Sequence, residues 1–301
     1  MCGGSESTTM LTCISAMDLR SGARLEHFVL ERQIGSGGVG TVWAARDTTT
    51  GGAVALKILR RNDPSAAEVL RARLLREAHA TRRVDHPAIV PISDVLDYEA
   101  SPVLVMELLH GETLRQQLTR DGRLGVAQTV TLLAPIAEAL SVAHDAGIVH
   151  RDLKPENIFI EAKPEPRVRL LDFGVARFYE PPEAPDQAPL TGLGTLIGTL
   201  AYMAPEQALR PSECGHEVDV WALGIILYEA LSGCRPIEGS NGPETMRQLL
   251  VGGITPLEIM MPSLPASLTE LVTSMLRRSP ERRAGDLRQI AKLLLHHAQD
   301  G

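Results

Sequence analysis

Aromatic residues are scarce in this sequence, 3% of 301 residues, so a core of ordinary size must be built mainly from Leu, Val, Ile, Ala and Met. Cysteine is scarcer still. Cys2, Cys13, Cys214 and Cys234 form no C-x-x-C pair and no metal-ligand spacing with His, which argues against a disulfide framework or a thiolate metal site and leaves reduced thiols as the expectation. No apolar run approaches the roughly 18 residues that span a bilayer, and the start of the chain lacks a basic segment followed by an apolar one. A soluble, cytoplasmic protein without a membrane partner is expected. Basic excess is also missing: 30 Lys and Arg stand against 37 Asp and Glu, a net charge of -7, so no general affinity for nucleic acid is expected.

What is present is an ordinary globular composition, 44% hydrophobic and 22% charged, in a chain long enough for one large domain or two lobes. Residues 1–25 are rich in Ser, Thr and Gly without sustained periodicity and read as a disordered tail. Alternation over Phe28 to Ile34 predicts a strand. Gly35-Ser36-Gly37-Gly38-Val39-Gly40 follows, then Thr41-Val42-Trp43-Ala44 as a second strand; a dinucleotide fingerprint would instead open a helix here. Val54-Ala55-Leu56-Lys57 ends an apolar strand on a lysine, which needs a partner. Residues 65–83 read as a helix carrying two candidate acids, Glu77 and Glu68. Either could instead make an exposed pair with a neighbouring arginine. Val103 to Glu107 is a further strand, and residues 126–146 have helical apolar spacing that stops at Gly147.

His150 to Asn157, reading H-R-D-L-K-P-E-N, concentrates an acid, two bases and a carboxamide in one short stretch. Asp152 can accept a hydroxyl proton, Lys154 lies two residues on, and Asn157 is a hard oxygen ligand of the kind magnesium selects. Taken alone, the stretch also makes an adequate solvated turn. Asp172-Phe173-Gly174 follows a predicted hairpin of Ile158 to Ile160 with Val168 to Leu171. Ala204-Pro205-Glu206 lies further on, and Arg283 stands in a P-x-x-R context. Asp219 precedes the apolar helix Val220 to Leu231 and could be its N-cap.

These elements, in this order, resemble the eukaryotic-type (Hanks-type) Ser/Thr protein kinases, of the bacterial kind. The resemblance implies an α+β, bilobal fold over residues 28–298, with a small antiparallel β lobe at 28–109 and a mainly helical lobe at 110–298. It implies ATP and Mg2+ as cofactors. Protein substrates with Ser or Thr acceptors are implied as partners, as is the chain itself in trans. By the same resemblance, Asp152 and Lys154 are catalytic, with Lys57 on the phosphates and Glu77 as its partner. Ile34, Gly35, Gly37, Gly40, Val42, Ala55, Met106, Glu107, Leu109 and Phe159 surround the nucleotide, while Asn157 and Asp172 hold the metal. Glu206 should pair with Arg283, and Asp219 should bond the catalytic-loop backbone. Thr199 matches the threonine that meets Asp152 and Lys154. Thr191 and Thr195 are candidates for phosphorylation, with Arg151 as the cation that would receive the phosphate. Small-molecule kinases of the aminoglycoside phosphotransferase type lack the A-P-E element. A pseudokinase scaffold would be expected to have lost Lys57, Asp152 or Asp172, and Lys154-Pro155-Glu156 with Thr199 disfavours tyrosine specificity.

Overall fold

Alternating apolar residues in the first third of the chain do form strands. The computed structural model describes residues 19–37, 40–59, 75, 84–98, 101–162, 167–172 and 200–298. Strands β1 (Arg24–Leu25), β2 (Phe28–Ser36), β3 (Gly40–Asp47), β4 (Ala53–Leu59), β5 (Ile92–Tyr98) and β6 (Ser101–Glu107) make one sheet in the order β1-β2-β3-β4-β6-β5. Every pairing in it is antiparallel. The turn from β3 to β4 is set by Asp47, whose carboxylate accepts from the backbone N–H and the hydroxyl of both Thr49 and Thr50. Leu25, Phe28, Leu30, Trp43, Leu56, Ile58, Val103 and Val105 bury one face of the sheet as a core of their own.

The expected disordered tail ends earlier than residue 25. Leu25 is buried and pairs with Phe28, while Leu19 and Ala23 pack against the same core. Burying Leu25 offsets the ordering of this short strand, which a composition rich in small polar residues conceals. Residues 1–18 lie outside the described residues.

After β7 (Gly111–Thr113) the chain turns helical. Thr113 closes a capping box: its hydroxyl accepts from Gln116 N, and Gln116 Oε1 accepts from Thr113 N, so α1 (Leu114–Asp121) starts there. Helix α2 (Val126–Asp145) ends before Gly147, whose φ of 75° suits glycine. Strands β8 (Ile158–Glu161) and β9 (Arg167–Leu170) form the predicted hairpin and pair with β7 as a second sheet. The short α3 (Pro205–Leu209) precedes α4 (Glu217–Ser232), α5 (Gly242–Val251), α6 (Leu257–Met260), α7 (Ala266–Met275) and α8 (Leu287–His296).

α2 and α4 are the centre of a second, larger apolar core. Leu133, Ile136, Ala137 and Leu140 of the first and Trp221, Leu223, Ile225, Ile226 and Leu227 of the second are almost wholly buried in it. By length and composition α2 is apolar enough to cross a membrane, contrary to the sequence reading, where Gln128, Glu138 and His144 interrupt a strict run. Most of the helix is buried within the protein, and this accounts for its apolarity. The cores also meet the compositional expectation in part: Leu, Val, Ile and Ala dominate, but Met275 is the only buried methionine among the described residues.

Candidate active site

The loop after α2 is held from below by one buried carboxylate. Asp219, in the first turn of α4, is fully buried; its Oδ2 accepts from His150 N and His144 Nε2, and its Oδ1 from Arg151 N, each at 2.8 Å. Burial alone would raise its pKa, but the three donors and the neighbouring histidines outweigh that and hold it below the usual carboxylate value. Of the two readings of Asp219, the structure shows the anchor of the loop backbone and not the N-cap. Helix α4 begins at Glu217 with His216 at the cap, and the Asp219 side chain is turned to the loop.

His150 lies directly above and is fully buried. Its Nδ1 accepts from Asp152 N at 3.3 Å, so the ring proton sits on Nε2 and is donated to Leu171 O at 2.9 Å. The imidazole thus ties the catalytic loop to the residue before Asp172. Arg151 and Asp172 have φ of 64° and 60°, a left-handed backbone that non-glycine residues seldom adopt and that tends to mark functional sites. Arg151 is kept there at both peptide groups, since its carbonyl also accepts from Gln207 Nε2 at 2.8 Å.

On this base the predicted catalytic residues converge. Lys154 Nζ donates to Asp152 Oδ2 at 2.7 Å. Asn157 Nδ2 donates to Asp152 O at 2.7 Å and more weakly to its Oδ2 at 3.3 Å. Two oxygens are left without a hydrogen-bond partner among the described residues: Asp152 Oδ1 and Asn157 Oδ1. Leu171 N bonds Asn157 O at 2.8 Å, which sets Asp172 beside Asn157. Across the cleft Lys57 Nζ meets Asp172 Oδ2 at 2.6 Å. A carboxylate and a free carboxamide oxygen side by side suit a hard divalent cation that retains much of its water, so the donor set fits magnesium. Glu77, Thr191, Thr195 and Thr199 lie outside the described residues. Lys57 therefore shows Asp172 as its partner.

The nucleotide side follows from strand register. Residues paired across antiparallel strands point the same way. Val42 pairs with Lys57, Ala44 with Ala55, and Ala55 with Met106. Lys57 reaches Asp172, so Val42, Ala55 and Met106 share the face turned to the cleft, whereas Leu56 and Ile58 face the small core. Gly37 and Gly40 exchange backbone hydrogen bonds that close the β2–β3 turn, and Gly35 lies opposite Val42. At Gly40 no side chain fits, since a Cβ would stand 2.1 Å from Ile58 O. Ile34 is exposed beside this turn and Leu109 half-buried after β6. Glu107 Oε2 accepts from Arg169 at 2.9 Å, and Phe159, half-buried on β8, pairs in register with Arg169 and Thr113.

Two further clusters support the segment that ends at Glu206. Arg283, its side chain wholly buried, forms the predicted pair: Nη1 and Nη2 meet the two Glu206 oxygens at 2.6 and 3.0 Å, and the guanidinium lies 5.1 Å from the Trp221 ring centroid. Arg282 beside it is exposed. The other cluster was not legible in the sequence. Arg115 of α1 bonds Glu156 at 3.0 Å, Glu229 at 3.0 and 3.2 Å, and the Tyr202 hydroxyl, which also donates to Glu229. Burial opposes the Arg115 charge, but the Glu229 bonds and the neighbouring Glu156 hold its pKa above the usual value. Burial first, and then the Glu229 charge, push the Tyr202 phenol up. No local pattern marks Arg115, because its partners are up to 114 residues away.

The sequence of residues 28–298 matches the protein kinase domain family. The chain belongs to that family. Among similar proteins, this kinase domain is 38% identical over 280 residues to the serine/threonine-protein kinase PknA of Mycobacterium tuberculosis, covering 89% of this chain and 60% of PknA. It is 34% identical to PknE of the same organism, covering 92% of this chain and 47% of that one. With the probable serine/threonine-protein kinase PknB of Lactococcus lactis identity is 32%, covering 88% and 41%. The chain thus spans about half the length of these relatives. The crystal structure of the PknI kinase domain of Mycobacterium tuberculosis shares the fold, with a TM-score of 0.69 at 24% identity over 93% of this chain and all of that one.

Proposed function

We propose that this chain is a Ser/Thr protein kinase that transfers the γ-phosphoryl group of ATP to hydroxyls of protein substrates. The observation that carries the reading is the state of Asp152: Oδ2 is engaged by Lys154 and Asn157, while Oδ1 has no hydrogen-bond partner among the described residues and the side chain is 21% exposed. ATP supplies the phosphoryl group; Asn157 and Asp172 are the residues that would hold magnesium, which when bound would supply positive charge against the phosphate oxygens. Asp152 Oδ1 orients the acceptor hydroxyl and receives its proton as the oxygen bonds to phosphorus and ADP leaves. Lys154 holds Asp152 Oδ2 and sets a positive charge beside the transferring group. Lys57 carries the matching charge on the small lobe. Positioning and charge account for most of the catalysis in such a site, with little covalent chemistry left to the protein.

Regulation through the segment after Asp172 belongs to the same proposal. The Arg151 guanidinium donates to Cys214 O at 3.2 Å and meets no carboxylate among the described residues, which leaves it able to receive a phosphate on Thr191 or Thr195. Incubation with labelled Mg-ATP and a set of Ser, Thr and Tyr peptides, beside Asp152→Asn, tests the activity. Transfer to Ser or Thr by the parent alone is expected; no transfer to any acceptor refutes it. Mapping the phosphorylated residues tests the regulation, which fails if replacing both threonines by Ala leaves activity intact.

A further inference from the structure

The reaction just described leaves the cluster around Arg115 without a task. Its four side chains come from four places: Arg115 from α1, Glu156 from the turn after Asp152, Tyr202 from the stretch before α3, and Glu229 from α4. Two carboxylates face one guanidinium, so without Arg115 the site would be strongly acidic. Exposure is graded across it. The Glu229 and Arg115 side chains are 8% and 27% exposed, and that of Glu156 is 45% exposed. Tyr202 is buried. The cluster is closed and acidic at Glu229 and open to solvent at Glu156, four residues from Asp152 along the chain and thus at most roughly 14 Å away. A peptide whose hydroxyl reaches Asp152 brings its neighbouring side chains within reach of Glu156.

We propose that Arg115 determines specificity: its guanidinium fills, from within the chain, an acidic site of Glu156, Tyr202 and Glu229 that would otherwise select an arginine or lysine of the peptide substrate. The inference rests on the Ser/Thr kinase reading. A guanidinium fork matches a carboxylate pair in geometry as well as charge, and Arg115 is bidentate on Glu229. Its tether to α1 gives it an effective concentration on the order of millimolar, so a peptide at micromolar concentration does not displace it. Removing it leaves Glu229 buried without its cation, and a basic residue of the substrate becomes the available replacement.

Labelled acceptor peptides in which a single Arg or Ala is walked through five positions on either side of the acceptor test this. Binding is read by fluorescence anisotropy and transfer by kcat/KM. In the parent the Arg and Ala peptides differ by less than about twofold at every position. In Arg115→Ala, at least one position shows a tenfold or greater preference for Arg in binding, and adding Glu156→Gln reduces it. Folded Arg115→Ala without any new preference overturns the proposal. So does a parent that already prefers Arg by tenfold and loses that preference in Glu156→Gln. This last comparison uses only an exposed rim residue and decides the matter should Arg115→Ala not fold, an unchanged ratio in Glu156→Gln then being the supporting result. Binding needs no turnover: a parent that binds as described but transfers to no peptide counts against the kinase reading and leaves the role of Arg115 standing.

Discussion

Replacing Asp219 by Asn changes one atom and removes one charge, and the structure says what each costs. A carboxamide has a single acceptor oxygen. The better rotamer keeps that oxygen on His144 and His150 and turns the NH2 group onto Arg151 N, leaving one buried N–H unpaired at about 1–3 kcal/mol. The two bonds that remain lose their charge assistance, about 1 kcal/mol each, so the total is about 3–5 kcal/mol. For a chain of this size that is a fall of about 10 °C in Tm. The urea transition of the helical lobe, which holds Asp219, should show a lowered midpoint with an unchanged slope. The backbone of Arg151 loses its anchor as well, so kcat measured at 15 °C should fall at least tenfold while KM for ATP changes less than twofold. The pH dependence has a definite sign. Because the folded-state pKa of Asp219 is depressed, its contribution is complete above the unfolded carboxylate value near 3.9 and is lost as pH falls below it. The stability gap between parent and variant should therefore be flat from pH 5 to 8 and narrow below about pH 4. A gap under 1 kcal/mol at pH 7, with kcat unchanged, would refute the account of Asp219 as the anchor of the loop.

Three further outcomes are expected. Asp152→Asn should lower phosphoryl transfer by about 10³-fold or more, yet leave Tm within about 2 °C, since Oδ1 has no partner among the described residues; a large loss of Tm in scanning calorimetry would count against this. Glu206→Ala leaves the buried guanidinium of Arg283 unpaired at about 3–5 kcal/mol, and Glu206→Ala combined with Arg283→Met should recover much of that in chemical denaturation. Gly40→Ala must push β3 from Ile58 O, so KM for ATP should rise tenfold or more, and an unchanged KM would show that the turn does not contact nucleotide.

What the sequence discloses depends on whether the chemistry is contiguous. His150 to Asn157 form their own hydrogen-bonded group within eight residues, so the pattern was visible in the chain and the structure adds only which oxygens are free. The pairing of Glu206 with Arg283, within the helical lobe, could be anticipated because each member stands in a recognisable stretch, whereas for Lys57 the sequence pointed to Glu77 and not to the Asp172 it meets across the cleft. Arg115 could not, because a polar residue on an amphipathic helix looks the same whether it faces water or two carboxylates. Asp219 was open to two readings for a related reason: an Asp before an apolar run fits both a cap and an anchor of the catalytic loop, and only the position of that loop decides. Leu25 was missed because a two-residue strand has no period.

The separation of the two apolar cores has a consequence for how this protein denatures. Among the described residues none belongs to both, and Val84, Ala88 and Ile89, which precede β5, side with the larger one. The side-chain ion pairs between the lobes among the described residues are Lys57 with Asp172 and Arg169 with Glu107, and such contacts transmit little cooperativity. Heat or urea should thus melt the β lobe and the helical lobe at different midpoints, so that no single free energy describes the apo chain. A nucleotide bound to both lobes adds about 2.7 kcal/mol at a hundredfold excess over its Kd, and only while both remain folded. Two calorimetric transitions merging into one as Mg-ATP is added would show that the ligand, and not the polypeptide, makes this molecule unfold as a unit.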